Sequence, residues 1–419
     1  MYRPTYTSRV LEKGTRDESR GGRVTLSFRG TRTPTHSAAD AAPPPRAIAT
    51  VAMESGRSRH WGWMGVIFGS FGTTLALSFY AVVGGWTMAY VVEMASGGLQ
   101  GITTDTAPAL FEELNARVWV LLAWFSAFLG ATVLISMAGV RAGVERAVKL
   151  MMPALFLMLL VMVVYAARVG EFELALDFLF TPDFSQLNAH IVMAAFGQAF
   201  FSVSVGLTSM MAYGAYIHQS TSIPRSALII VLADSAVALL AGLAIFPIIF
   251  ANGLDPQAGP GLVFITLPFA FGQVAGGQLF GAVFFILLLF AALTSSIAML
   301  EAPVSWLSDR TRLSRKAAAL ATGSTAWLLG LLAVLSMNVL SGYHPLSAIP
   351  LFSDKTFFDL YDFLVINLMM PMGGILIAVF TGWVVLKKHS LDELYGKAPT
   401  AWYSAWRFLL RYVAPVVLI

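Results

Sequence analysis

The chain predicts an all-α protein that crosses a membrane about nine times, and three observations carry that reading. It is 57% hydrophobic and only 12% charged over 419 residues, where a soluble domain carries about 25% charged residues. Its apolar residues gather into successive stretches of about 20, the length a helix needs to cross a hydrocarbon core. Its Lys and Arg fall mainly in the loops of one side, as the positive-inside rule requires.

The same composition closes off other classes. Cysteine is absent and the six His are scattered, so there are no disulfides, no thiolate metal sites and no metal-ligand spacing. No phosphate-cradling glycine motif and no G-x-S-x-G elbow occurs. No span offers a Ser–His pair, so an intramembrane hydrolase is disfavoured and the chain is not read as an enzyme. The net charge of +4 needs no nucleic-acid partner, because the basic residues sit in loops.

Residues 1–50 are rich in Arg, Thr, Ser, Pro and Ala and end near Ala41-Ala42-Pro43-Pro44-Pro45. They lack both a spanning stretch and the apolar core of a secretory signal, so disorder is expected. From Trp61 the character changes. The expected spans are roughly 63–95, 118–138, 147–169, 190–217, 225–251, 277–306, 317–339, 358–386 and 402–419, the last barely long enough. One side holds Arg57, Arg59, Arg141, Arg146, Lys149, Arg225, Arg310, Arg312, Arg315, Lys316, Lys387, Lys388 and Lys397. Arg117, Arg168 and Lys355 lie opposite, among Glu112, Glu113, Glu171, Glu173 and Asp183. The first span therefore runs from the cytoplasm outward across the cell's inner membrane. The partly apolar 252–275 loop is then external and able to fold back over the mouth of a pathway.

The stretch Ala194–Ile217, AAFGQAFFSVSVGLTSMMAYGAYI, organises the rest. Its middle sets Ser202, Ser204 and Gly206 inside an apolar run. An unpaired amide in hydrocarbon costs several kcal/mol, so spans are normally unbroken. A helix that opens at membrane depth points to a transporter binding site. The same Ser and Gly also suit an unbroken helix packed closely on a neighbour, and both readings stand at this point. Asp234 lies about a third of the way along its span. It is either an interfacial carboxylate or a functional one. Thr294, Ser295 and Ser296 can bond back to their own helix or offer hard oxygens to a small cation. Tyr80 in the first span suits packing as well as ligand contact.

Here several motifs in order, GQAFFSVSVG, YGAY, FITLP, GQVAGG, LFAALTSSIAMLE and RYVAP, closely resemble the neurotransmitter:sodium symporter family, bacterial amino-acid branch, over about residues 50–419. The resemblance implies a leucine-transporter-type inverted-repeat fold and sodium-coupled symport of an amino acid or related amine. Broken helices in that fold are a known example rather than a deduction from this chain. It implies that Phe201 is the lid over the substrate, that Ser202 and Ser204 meet its amine, and that Tyr80 bonds its carboxylate. Ser295 also touches the substrate, while Ala76, Leu207 and Met299 line its side-chain pocket. Ser202 and Asp234 match one sodium site; Ala291, through its carbonyl, Thr294 and Ser295 match a second. Asp362 and Gln198 match the outer gate, Asp309 and Tyr216 the inner gate. A carboxylate at Asp234, where relatives commonly have Asn, implies that chloride is not required.

The match also departs from the family pattern. Nothing corresponds to its first two helices, so the chain reads as family helices 3 to 11 after a foreign N-terminal segment, with C-terminal truncation too. Part of both sodium sites would then be missing. The alternative reading is an inactive or incomplete membrane fragment of such a transporter. The partners implied are a small amino-acid substrate and the lipid bilayer, with no oligomeric state specified.

Overall fold

The computed structural model describes residues 59–98, 102–103, 106–139, 143–204, 206–207, 209–214, 221–254, 261–395 and 401–418, together with Ile48. Among them every regular element is helical. Seven helices are long and apolar enough to cross a membrane: α1 His60–Ser96, α3 Val118–Met137, α4 Glu145–Val169, α8 Ile223–Ala251, α10 Gly277–Arg310, α11 Arg315–Leu335 and α12 Phe357–Val384. Between them lie α2 Thr106–Ala116, α5 Phe172–Phe180, α6 Ala189–Ser202, α7 Ser209–Gly214 and α9 Leu262–Gln273. α13 Lys387–Tyr395 and α14 Ala401–Phe408 follow, α14 continuing through a π turn at Leu409–Val413 into Ala414–Val417.

The seven long helices account for seven of the nine expected spans, and the other two differ for physical reasons. The 190–217 stretch is two short helices, because the backbone opens after Ser202. The last stretch is helical only to Val417, too short to count as a full span.

α1 is the centre of the bundle. Its sequence is apolar on every face, the pattern of a helix surrounded by protein, and α10, α3 and α11 pack around it. Leu77, Ala81, Val82, Phe125, Phe128 and Ala326 are fully buried there. Side-chain hydrogen bonds cross these packed faces. Thr132 meets Ser296 at 2.8 Å, joining α3 to α10, and the Trp327 indole donates to Ser126 at 2.9 Å, joining α11 to α3.

Within the 252–275 stretch, the helix α9 packs into the bundle. α9 buries Phe264, Leu267, Ala270 and Phe271. Phe264 stacks on Phe111 and meets the Trp86 and Tyr90 rings, and the Tyr90 hydroxyl donates to the Phe264 carbonyl at 2.6 Å. Trp86 itself donates to Asn115 at 2.8 Å. Arg407 donates to the Val385 carbonyl at 3.3 Å and Arg411 to the Gly382 carbonyl at 2.6 Å, holding α14 and its continuation against the end of α12.

A buried ion pair ties three helices together. Glu301 on α10 is 1% exposed and Arg315 on α11 is 26% exposed. The guanidinium grips both carboxylate oxygens, at 3.0 and 2.5 Å, and also donates to the Ser136 carbonyl of α3 at 3.3 Å. Removing one partner of such a pair strands a buried charge, at about 3–5 kcal/mol, whereas exposed pairs are worth about 0–1 kcal/mol. Arg315→Ala is therefore expected to lower the unfolding midpoint of purified protein far more than Glu113→Ala, which breaks the exposed Arg117–Glu113 pair. Thermal unfolding in detergent measures both; equal shifts would refute the structural weight given to Glu301.

Candidate functional site

The site forms where α6 stops. α6 ends at Ser202 and α7 begins at Ser209. The last α-helical bond before the break is that of the Val203 amide to the Ala199 carbonyl, at 3.3 Å. Ser204 then takes a φ of 53°, a left-handed conformation that residues with a Cβ adopt rarely. Backbone held this way stores of order 1–3 kcal/mol and persists only where its surroundings enforce it. The structure thus decides between the two readings of this stretch: it is broken rather than a continuous packed helix.

What holds the opened segment is a very close backbone approach from α12. A Cβ on Gly206 would lie 2.0 Å from the Met370 carbonyl oxygen, and a Cβ on Gly373 would lie 2.0 Å from the Gly206 carbonyl oxygen. Only glycine fits at either place. The α12 backbone is π-helical over Leu364–Met369, immediately before this crossing. π turns of this kind recur at functional sites. Leu207, buried, and the tip of Met369 both close on Gly72 of α1, one helical turn from Ala76.

Several residues matched to the family's sites come together. The Ser202 hydroxyl donates to Asp234 Oδ2 at 2.5 Å, joining the broken end of α6 to α8 across 32 positions of sequence. Tyr80 of α1, half-buried, meets the Ser295 hydroxyl of α10. Thr294 donates to the Ala291 carbonyl at 2.9 Å, so two of the oxygens assigned to the second sodium site are adjacent. Met299 follows Ser295 by four residues and shares its helix face. The third hydroxyl, Ser296, points the other way, is buried, and belongs to the α3–α10 packing.

Other residues fall apart from this group. Asp309 lies exposed at the C-terminal end of α10 and Gln198 is exposed on α6. Asp362 is half-buried on α12 within the fields of Asp359 and Lys355. Phe201 lies on the last turn of α6; its ring, like Tyr216 and residues 1–47, lies outside what the structure describes. Ser202, Asp234 and Ser295 are exposed, so the described side chains do not by themselves enclose a cation. Among the described residues no His, Asp and Glu cluster could hold a transition metal or calcium.

A family model, the Sodium:neurotransmitter symporter family, matches residues 111–419. The chain belongs to that family. It is a multi-pass membrane protein of sodium-coupled symporters, not an enzyme. A sodium-dependent transporter of Bacillus subtilis, YhdH, described as uncharacterized, is 38% identical over 360 residues, covering 85% of this chain and 77% of that protein. A second uncharacterized sodium-dependent transporter, from Haemophilus influenzae, is 31% identical over 371 residues, covering 87% of this chain and 79% of its own length. The crystal structure of MhsT in complex with L-phenylalanine superposes with a TM-score of 0.75 at 33% identity, covering 89% of this chain and 87% of that one. That likeness establishes the leucine-transporter-type fold expected from the motifs.

Sequence reasoning missed two features of this region. Glu301 carried the signal of a carboxylate inside an apolar run, which is a functional or structural marker by default, but its partner Arg315 lies on another helix. Gly373 carried no signal beyond the Gly-Gly pair of α12.

The Gly206–Gly373 crossing makes a direct prediction. Gly373→Ala forces the α12 backbone away from the opened segment, and overpacking of this sort costs about 1–3 kcal/mol. Gly130→Ala on α3, where nothing lies within 4 Å of the added carbon, is the control and should be neutral or mildly stabilising. Unfolding midpoints that fall for Gly373→Ala but not for Gly130→Ala are expected; unchanged midpoints for both would mean that the two backbones do not touch.

Proposed function

We propose that this protein uses the inward sodium gradient to take up a neutral, apolar amino acid, with substrate and sodium bound where α6 opens. The observation that carries the reading is the Ser202–Asp234 hydrogen bond at the end of the broken helix. It places two hard oxygens beside backbone carbonyls freed from the helix, the donor chemistry that an alkali cation takes without any deprotonation. C-terminal helix ends carry partial negative charge, so the end of α6 favours a cation in the same place.

In this reading Ser202 and Asp234 hold one sodium ion, and the Ala291 carbonyl, Thr294 and Ser295 hold the second. Water or further protein oxygens complete both shells. Tyr80 bonds the substrate carboxylate, Phe201 covers it, and Ser202, Ser204 and Ser295 meet its polar groups. Ala76, Leu207 and Met299 are apolar and would line its side chain. That suits a neutral side chain, in keeping with the L-phenylalanine bound by the similar MhsT. Asp362 and Gln198 act at the outer gate, Asp309 and Tyr216 at the inner one. The competing reading is a member of the family that binds but does not transport, because Ser202, Asp234 and Ser295 stand exposed.

Reconstituted protein separates the two. Sodium-driven accumulation of L-phenylalanine in proteoliposomes is expected, abolished when the sodium gradient is collapsed. Asp234→Ala should raise the sodium concentration for half-maximal uptake by about tenfold or more, the loss of one charged ligand contact. No accumulation by the native chain would sustain the non-transporting reading.

Asp234 also fixes the expected chloride response. A carboxylate at this position can itself supply the negative charge that offsets bound sodium. Replacing chloride with gluconate should leave uptake by the native chain unchanged. Asp234→Asn should transport poorly or only with chloride. Equal chloride dependence of both forms would rule out charge replacement.

A further inference from the structure

A lipid-facing groove lies well away from the broken helix. It has a volume of about 430 Å³ and is lined by Leu160, Val161, Val164, Tyr165 and Arg168 of α4 and by Phe280 of α10. Ligand pockets span roughly 300–1,000 Å³, mostly apolar with a few placed polar groups, and this groove has that character. Its α4 residues follow one helix face over eight positions, about 12 Å along the axis at the helical rise. That is close to the depth of one leaflet's hydrocarbon, about half of a 30 Å core. The far wall is fixed: Phe280 stacks on Tyr165, and the Tyr165 hydroxyl donates to the Ala275 carbonyl at 3.0 Å.

Arg168 closes one end of the groove, in the last turn of α4, the end that the distribution of Lys and Arg along the sequence assigns to the outside. Three other basic side chains have acidic partners. Arg117 pairs with Glu113, Lys149 with Glu145 and Arg315 with Glu301. Among the described residues no hydrogen bond or ion pair holds the Arg168 guanidinium, although Glu171 and Glu173 follow within five positions. It lines the groove instead.

From the apolar trough and the unpaired guanidinium at its outer mouth we infer that this groove holds one phospholipid of the outer leaflet. Its phosphodiester sits on Arg168 and one acyl chain lies along Leu160–Val164 beneath Phe280. The guanidinium is suited to phosphate, which it grips through two parallel donors. The acyl chain gains about 0.8 kcal/mol for each methylene it buries. The alternative role for Arg168 is to complement the C-terminal dipole of α4, which would affect stability and not lipid.

The test is native mass spectrometry of full-length protein, incorporated into vesicles of phosphatidylglycerol and phosphatidylethanolamine and then extracted into detergent. One retained phospholipid per chain is expected. Arg168→Gln should weaken its retention by about tenfold, the loss of a charge-assisted hydrogen bond. Val164→Trp, at an exposed position, should exclude it by filling the trough. Added inorganic phosphate or free fatty acid should not displace it. Absence of a retained lipid in the native chain would overturn the inference. So would equal retention by both variants, or a lower unfolding midpoint in Arg168→Gln with unchanged lipid. Displacement by phosphate alone would show an anion site and not a lipid site.

Discussion

Everything near the proposed site depends on one constraint: backbone amides at membrane depth must find partners. An α-helix meets that demand internally, and opening it costs several kcal/mol for each group left without a partner. Between Ser202 and Ser209 this chain gives up that internal solution. It can do so because α12 comes within backbone contact of Gly206 and because α8 supplies Asp234 to the last helical side chain. The strained φ of Ser204 is the local expense of the opening. The two glycines, Gly206 and Gly373, are what let the neighbouring backbone come close enough to surround it.

The rest of the bundle divides into a part that is fixed and a part that is open. α1, α3, α10 and α11 share buried polar contacts, namely Thr132–Ser296, Trp327–Ser126 and the Glu301–Arg315 pair. Buried networks of this kind are costly if half made and specify one arrangement when complete. The N-terminal half of α8 is different: Leu228 to Leu232 are each exposed, on every face of the helix, whereas Ala244, Ile248 and Ile249 near its other end are buried. The proposed sites straddle this division. Tyr80, Ser295, Thr294 and Met299 stand on the fixed helices, and Ser202 and Asp234 on the open ones. A cation bound at Ser202 and Asp234 would therefore act on the more weakly packed half, and a substrate touching both Tyr80 and Ser204 would draw the halves together.

How much of this was legible in the sequence follows from the range of each signal. The spans were legible because hydropathy over about 20 residues is a local property, and the long helices fall within a few residues of the expected stretches. The break was half legible: two hydroxyls and a glycine interrupt an otherwise apolar run, but the same residues suited an unbroken helix packed on a neighbour. The Ser202–Asp234 pair was not readable from spacing; it came only through resemblance to a family, since 32 residues and a change of helix separate the partners. The Glu301–Arg315 pair and the Gly206–Gly373 crossing went unread for the same reason. Periodicity says which face of a helix is apolar, and in a membrane chain apolar on every face it does not say which helix lies next to it. The inward fold of α9 was only half legible: the loop was visibly apolar, but the aromatic rings that receive Phe264 lie on α1, α2 and α10.

The hydrogen bond between Ser202 and Asp234 also explains why one pair can serve both structure and ion binding. A serine hydroxyl has one proton to give and two lone pairs to offer. Here the proton goes to Oδ2 of Asp234, so the lone pairs of Ser202 and the second carboxylate oxygen remain as acceptors in the same neighbourhood. A cation in the proposed site would take those acceptors without breaking the bond that pins α6 to α8. The arrangement has a sign: a carboxylate both accepts this hydrogen bond and can offset the ion's charge, whereas an amide would do the first and not the second. Holding sodium and holding the broken end of the helix are then the same act. That is the link a symporter needs between its driving ion and the backbone that cradles its substrate.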